Sequence, residues 1–493
     1  MQRPTWLILI AILFLLALSA CRGTVELGVE RTPTPNRAFE ATVTALAQEN
    51  ARLATLVAQQ ATPSIPPNLG RVAYVQGGDI WHKALPDGKA QRLTADGRNR
   101  EPRWSPSGNW IAFRRERYVV IQRESLCDVP KPSQEICREV ISIPQQQVWV
   151  VDDSGNDAHP VNQGFSVDAF AWSPVRDRLA YVTANGELQV VNADGTGLVT
   201  LASANMMSRA HGKPGRIAWS PEGAWIAYEW TAQTAPSSIW RVSQDGRTRG
   251  ELYASGAQAR GDIVLAAWSP QGNTILFWQD LARAGFPAEG ALLYGIPVDR
   301  RSLEPTRWST EPMLAHPDFI APAPPNTNFG ARDALALTLG AGQGTWANKR
   351  IELPGVVTLK TFAAISPAWS PSGTRIAYTA MPERADLGLS EPTFQELMQR
   401  RIWMTDFATV QWSRQLTNNL GWRDERPLWS ADGSHILFAR MDARGRASLW
   451  VLPIEGTTPR QVVDELTPAP DPIGTYGHAN WDTLFDWWQG VGR

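Results

Sequence analysis

One five-residue phrase recurs along this chain and restricts what it can fold into. It reads WSPSG at Trp104–Gly108, WSPVR at Trp172–Arg176, WSPEG at Trp219–Gly223, WSPQG at Trp268–Gly272, WSPSG at Trp369–Gly373 and WSADG at Trp429–Gly433. Pro fixes φ and Gly accepts a positive φ, so Ser-Pro-x-Gly makes a tight turn. A short apolar triplet follows most copies, as in Ile111-Ala112-Phe113, Ile226-Ala227-Tyr228 and Ile376-Ala377-Tyr378. A second apolar pair with an aromatic comes next, as in Val148-Trp149, Ile239-Trp240, Ile402-Trp403 and Leu449-Trp450. Asp-Gly pairs at Asp87-Gly88, Asp194-Gly195 and Asp245-Gly246 then signal hairpins. Each unit is therefore a small antiparallel sheet, and the Trp is expected to fill the space between neighbouring sheets. The chain contains 23 Trp against 8 Tyr, which fits Trp fixed in a repeat. The fold class expected is all-β, a β-propeller of four-stranded blades preceded by an N-terminal helical stalk.

The phrases resemble the PD40-type (WD40-like) repeats of the TolB propeller family and of prolyl oligopeptidase propellers. The resemblance covers Arg71 to about Trp488, and six units match. It departs at Val175-Arg176, where the turn lacks its Gly. No hydrolase domain follows the repeats, so only the propeller half of the peptidase resemblance applies.

Anchor Trp spacings are 68, 47, 49, 101 and 60, then 52 from Trp429 to Trp481. A blade takes about 40–50 residues. The longest gap therefore fits two units, with strands expected at Ala334–Thr338, Trp346–Leu353 and Val356–Phe362. The wide first spacing holds a polar insertion, Arg115–Gln147. The 60-residue spacing holds a helix expected over Glu391–Arg400. Arg71 starts in mid-repeat, and Asn480-Trp481-Asp482 resembles the missing first part, so the two ends are expected to share a blade. The count is eight blades, with seven as the alternative.

Residues 1–20 carry Arg3, then an apolar run from Trp6 to Leu18, then Leu18-Ser19-Ala20-Cys21. This resembles a bacterial lipoprotein signal peptide and implies lipidation at Cys21, with the remainder facing outside the cytoplasm. The apolar run is short for a membrane span of roughly 20 residues. Residues 21–36 and 62–70 are Pro-containing tethers. Residues 37–61 read as a helix with a heptad: Val43, Asn50 and Val57 at a positions, Phe39, Leu46 and Leu53 at d positions. That pattern suits a parallel two-stranded coiled coil, hence a homodimer. A solvated spacer remains open beside it. Outside the cytoplasm, Cys127 and Cys137 are expected to form a disulfide.

Signals for chemistry are sparse. No HExxH, GxSxG, P-loop or strand-placed GxGxxG occurs. His82, His159, His211, His316, His435 and His478 are dispersed, and nothing in their repeat positions gathers them. No metal site, cofactor or catalytic residue is assigned, and ligand-binding residues stay unknown. Val151–Asp157 looks like a calcium loop but occupies a turn position. Net charge is −1, which excludes a broad basic field for nucleic acid. The function expected is non-catalytic: a cell-envelope lipoprotein whose propeller binds a protein, peptide or glycan. Candidate contact regions are Arg115–Gln147, Met381–Arg401 and Ala321–Asn326. The alternative is a glycan-active lyase or hydrolase with an axial site, marked by three or more His or carboxylates converging there.

Overall fold

The computed structural model describes residues 68–490, apart from segments 127–135, 163–165, 207–211, 233–236, 256–262, 280–289, 300–303, 325–333, 341–348, 360–361, 384–393, 408–411, 457 and 472–476. Cys21, the heptad residues and the Cys127 partner of the proposed disulfide lie outside it.

Eight sheets of four strands each are present, and in seven the four strands follow one another along the chain. Their first strands are Asn99–Trp104 (blade 2), Val167–Trp172 (3), Gly212–Trp219 (4), Ile263–Trp268 (5), Ile320–Pro322 (6), Ala363–Trp369 (7) and Trp422–Trp429 (8). Blade 1 is shared by the two ends: Phe485–Trp488 pairs with Arg71–Gln76, which pairs with Asp79–Ala84. The chain thus has eight blades, and the 101-residue gap holds blades 5 and 6. In blade 6 the later strands are Leu335–Leu339, Arg350–Leu353 and Val357–Leu359.

Two expectations need correction. The closing strand is Phe485–Trp488, and Trp481 sits in a 3-10 turn before it, Trp481–Thr483. Trp487, opposite Val72, holds the register that the anchor Trp104 holds opposite Ile111, so the sequence match at Trp481 was six residues early. The helix in blade 7 is only Phe394–Leu397; residues 391–393 are outside the described set. It tightens into i→i−3 bonds, Gln399 N–H to the Glu396 carbonyl and Arg400 N–H to that of Leu397, before the strand Arg401–Asp406 begins.

The anchor Trp residues show why the phrase repeats. In five of the six anchors the indole N–H crosses to the preceding blade and donates to a backbone carbonyl. Trp172 reaches Arg103 (3.0 Å), Trp219 reaches Ala171 (3.0 Å), Trp268 reaches Ala218 (2.9 Å), Trp369 reaches Ala321 (3.1 Å) and Trp429 reaches Ala368 (3.0 Å). In four of the five, the acceptor immediately precedes that blade's own anchor Trp. The ring buries apolar area between sheets while its one donor is satisfied. The apolar triplets form the sheet cores: Ile111, Phe113, Ile226, Tyr228, Ile275, Phe277, Ile436 and Phe438 are fully buried. Each contributes about 1.5–3 kcal/mol.

The closing seam is reinforced. Trp488 donates to the Pro106 carbonyl (3.0 Å) and Trp487 to the Leu69 carbonyl (2.7 Å). The Arg71 guanidinium lies over both Trp104 and Trp488, 4.7 and 4.6 Å from the ring centroids, and pairs with Asp153. Gly108 has φ +74°, and a Cβ there would meet the Trp488 ring at 2.4 Å. The glycine of this turn is required by both conformation and space.

Strands alternate in direction, so connections fall on two faces. First-to-second and third-to-fourth connections share a turn face, built from the Ser-Pro-x-Gly and Asp-Gly turns. Asp152 confirms the turn reading of Val151–Asp157, since its carboxylate accepts the Asn156 and Asp157 amides. The blade 6 connection after Pro322, with the Pro-rich stretch, is the long exception there. Second-to-third connections and those between blades share the opposite, elaborated face. It carries the connection after Met381 and an arm in blade 2, whose strands Trp110–Leu126 and Ile136–Asp152 run 17 residues each. The first strand of that blade pairs only as far as Arg115. Residues 116–126 and 136–146 therefore continue as a two-stranded hairpin for roughly 35 Å at the usual rise.

Candidate functional site

First strands line the axis, and in six blades a register shift interrupts the first strand before the anchor Trp. In blades 2, 7 and 8 the shift falls at x-Pro-x-Trp, and residue x has a left-handed backbone: Glu101 (φ 57°), Ser366 (φ 53°) and Arg426 (φ 55°). Such a conformation costs on the order of 1–3 kcal/mol for a non-glycine residue. In blades 2 and 8 it presents a charged side chain to partners. Glu101 meets Arg114 at 2.5 Å, and Arg426 meets Asp318.

Asp318 belongs to a 3-10 turn, Pro317–Phe319, leading into blade 6. Arg426 belongs to blade 8, so their ion pair spans non-neighbouring blades across the axial end on the elaborated face. The segment Gly477–Leu484 fills the space between them. His478 Nε2 lies 3.0 Å from Asp318 Oδ2. Trp481 Nε1 donates to Glu425 Oε2 (2.7 Å). Arg103 of blade 2 meets Asp482 Oδ2 at 3.0 Å, and Arg400 donates to the Gly477 carbonyl. This plug is tied to blades 2, 6, 7 and 8 before it enters blade 1.

Beneath it lies a buried ionic cluster. Glu425 accepts from Arg400 (2.5 Å) and Arg423 (3.1 Å), and all three side chains are buried. Next to it Asp424 accepts from Nε and Nη2 of Arg440, at 2.6 and 3.0 Å. Burial alone would raise the Glu425 carboxyl, but the Arg423 and Arg400 guanidinium groups outweigh it and hold it at about 2. Burial likewise opposes ionisation of Asp318, yet Arg426 and the His478 hydrogen bond keep it well below the carboxylate range. Burial pushes His316 down to about 4, with the His478 and Arg426 charges adding to it against Asp318. At neutral pH both carboxylates are ionised and His316 is neutral.

His316, Asp318 and His478 offer ligand atoms within 4.8 Å of one another, the one such grouping among the described residues. No repeat position pointed to it, because His478 precedes an irregular turn and His316 precedes a blade without the phrase. The donors do not fit a metal ion as they stand. His316 Nδ1 caps its turn by accepting the Asp318 amide (3.2 Å), so its other nitrogen carries the proton. Asp318 Oδ1 faces Arg426 and Oδ2 faces His478. A cation would have to break the cap and displace a guanidinium.

The remaining histidines stay apart. His82 stands edge-on to Trp104, His159 bonds the Ala193 carbonyl (3.0 Å), and His435 bonds Ser434 (2.7 Å); His211 is outside the described residues. Cys137 stands opposite Ser125 in the arm. The signal missed in the sequence is Trp422–Trp429, WRDERPLW: four consecutive charges in one first strand, echoed by Arg98-Asn99-Arg100-Glu101 in blade 2.

No family model matches this chain, and no curated protein matches it. Several solved structures are similar. An oligogalacturonate lyase in complex with manganese is 13% identical over 79% of this chain and 83% of that one, with a TM-score of 0.41. TolB from Acinetobacter baumannii is 13% identical over 83% and 67%, with a TM-score of 0.34. A putative TolB from Agrobacterium tumefaciens is 16% identical over 62% and 84%, with a TM-score of 0.29. At these identities the likeness concerns the fold alone. The chain is an eight-bladed β-propeller with TolB proteins among its structural neighbours.

Proposed function

We propose that this chain is a non-catalytic binding module of the bacterial cell envelope, held to the membrane by lipid on Cys21 and gripping a protein, peptide or glycan with its elaborated face. The observation that carries the reading is the gathering of the arm, the Met381–Arg401 connection and the axial plug on that one face. Large apolar side chains are exposed there: Val120 and Val140 on the arm (64% each) and Leu420 between blades 7 and 8 (91%). Exposed apolar residues on long connections are a usual mark of contact surfaces. The described chain enters at Asn68, where the blade 1 strand Arg71–Gln76 begins on the turn face.

A photocrosslinking residue at Val120 or Leu420 is expected to yield adducts in living cells. The same residue at Asn109 or Glu222, on the turn face, is expected to yield none. Equal labelling of both faces would sink the assignment.

The convergence of His316, Asp318 and His478 favours a second reading, a lyase or hydrolase acting at the axial end. Against it, Asp318 and Glu425 are each covered by arginine and ionised, whereas glycoside hydrolysis by a carboxyl pair needs one held protonated. Titration with Mn²⁺, Zn²⁺ and Ca²⁺ separates the readings. A melting-temperature rise lost in His478→Ala would favour the enzyme.

A further inference from the structure

The arm has two edges of unequal character. The Glu116 amide donates to the Arg98 carbonyl (2.9 Å), on the side away from the return strand. Even-numbered residues of Glu116–Leu126 therefore turn their N–H and C=O groups outward, while odd-numbered ones form the ladder with Ile136–Gln146. The same parity holds on the return strand, where Gln146 N–H bonds Ser166 Oγ and the Val148 carbonyl accepts from Val161. That outer edge is interrupted by Pro144, which has no N–H to offer. The inner edge, Glu116–Leu126, contains no proline. It continues the line of the blade's first strand beyond the point where that strand stops pairing, on the side toward the axis.

A two-stranded hairpin is marginal alone in water, and a long free edge is a template for another strand. Basic side chains cluster at the head of this edge. Arg98, Arg100 and Arg117 are exposed, and the Arg98 guanidinium lies 5.9 Å over the Tyr118 ring. On the arm's two faces stand exposed Tyr118, Val120, Ile121, Val140 and Ile143. Those side chains can receive the alternate residues of an incoming strand.

We propose that the inner edge of the arm, Glu116–Leu126, takes up an extended acidic peptide segment as an added β-strand. This rests on the binding reading above and names its surface and the chemistry of its partner. Main-chain bonds to residues 118, 120 and 122 would hold the segment, and Arg98, Arg100 and Arg117 would select acidic side chains.

The test uses the purified full chain and two labelled decapeptides, (Glu-Val)₅ and (Lys-Val)₅, followed by fluorescence anisotropy. The acidic peptide is expected to bind at least tenfold more tightly, with affinity falling as salt rises. Val120→Pro removes one outward N–H without touching the ladder to the return strand and is expected to weaken binding at least tenfold. Ser142→Pro makes the same change on the outer edge and is expected to leave binding intact. The double variant Arg98→Glu, Arg100→Glu is expected to reverse the preference between peptides. Equal binding of the two peptides, or equal effects of the two proline variants, would overturn the proposal. So would a concentration-dependent dimer abolished by Val120→Pro in the absence of acidic-peptide binding, which assigns the edge to a second copy of the chain. Cellular crosslinks at Leu420 that persist in Val120→Pro would keep the binding face and reject this edge alone.

Discussion

Glu425 shows what a single residue holds in this fold. Two arginines and the Trp481 indole converge on one buried carboxylate. Glu425→Gln keeps the shape and leaves Arg400 and Arg423 charged and underpaired, a change that typically costs about 3–5 kcal/mol. A lower denaturant midpoint with an unchanged m-value is the expected result. The pH dependence follows from neighbouring groups. His316 sits at about 4 in the folded chain against 6.5 in the open chain. Its folded form prefers to be neutral, so its contribution is complete above pH 6.5 and lost as pH falls from 6.5 to 4. Glu425, depressed to about 2, contributes fully above its unfolded value of about 4.3 and loses that contribution as pH falls toward 2. Stability is expected to decline in these two stages. His316→Asn, which can still cap the turn, should remove the upper stage and leave the lower; circular dichroism melts across pH 3–8 would register it.

At the scale of elements, the anchor Trp phrase could be read from sequence because it does local and inter-blade work at once. Turn chemistry fixes the Ser-Pro-x-Gly corner, and the indole reaches a neighbour one blade back. Trp429→Phe keeps most of the ring and loses the bond to Ala368, so a loss of about 1 kcal/mol is expected. Trp104 is the contrast: its buried indole nitrogen finds no acceptor. Trp104→Phe should therefore be nearly neutral, and paired urea titrations of the two variants would reveal the difference. The axial site was not readable in this way. Its residues come from blades 2, 6, 7 and 8 and from the plug, and no spacing along the chain encodes that meeting. Two local cues were nonetheless present. Four successive charges at Arg423–Arg426 contradict a plain core strand, and Glu-Pro-Arg-Trp and Arg-Pro-Leu-Trp put a charged residue where a left-handed bulge is needed. The closing strand was misplaced because Trp481 matched the repeat by residue type, while pairing with Arg71–Tyr74 belongs to Phe485–Trp488. The arm is a different sort of element, since blade 2 completes its core with Trp110–Arg115 and Gln147–Asp152. Replacing residues 116–146 by a two-residue turn is expected to shift the melting temperature by only a few degrees.

For the whole molecule, the ring is held by one four-residue strand, Phe485–Trp488, made after all the other blades. Removing residues 485–493 would strip Trp487 and Trp488 from the seam and bare the edge of Arg71–Gln76. Self-association on size exclusion and rapid cleavage by trypsin are the expected results. A chain that folds as it emerges can assemble blades 2 to 8 early, but it cannot shut the ring until Trp488 has followed. The axial plug, made from Gly477–Leu484, arrives only just before that. Both the seal and the polar centre thus wait on Gly477–Trp488, which follows all of blades 2 to 8 in the chain. A prematurely terminated product has neither, and it displays an open sheet edge that proteases and chaperones can recognise. In this protein, closure of the circle reports that the polypeptide has been made at least as far as Trp488.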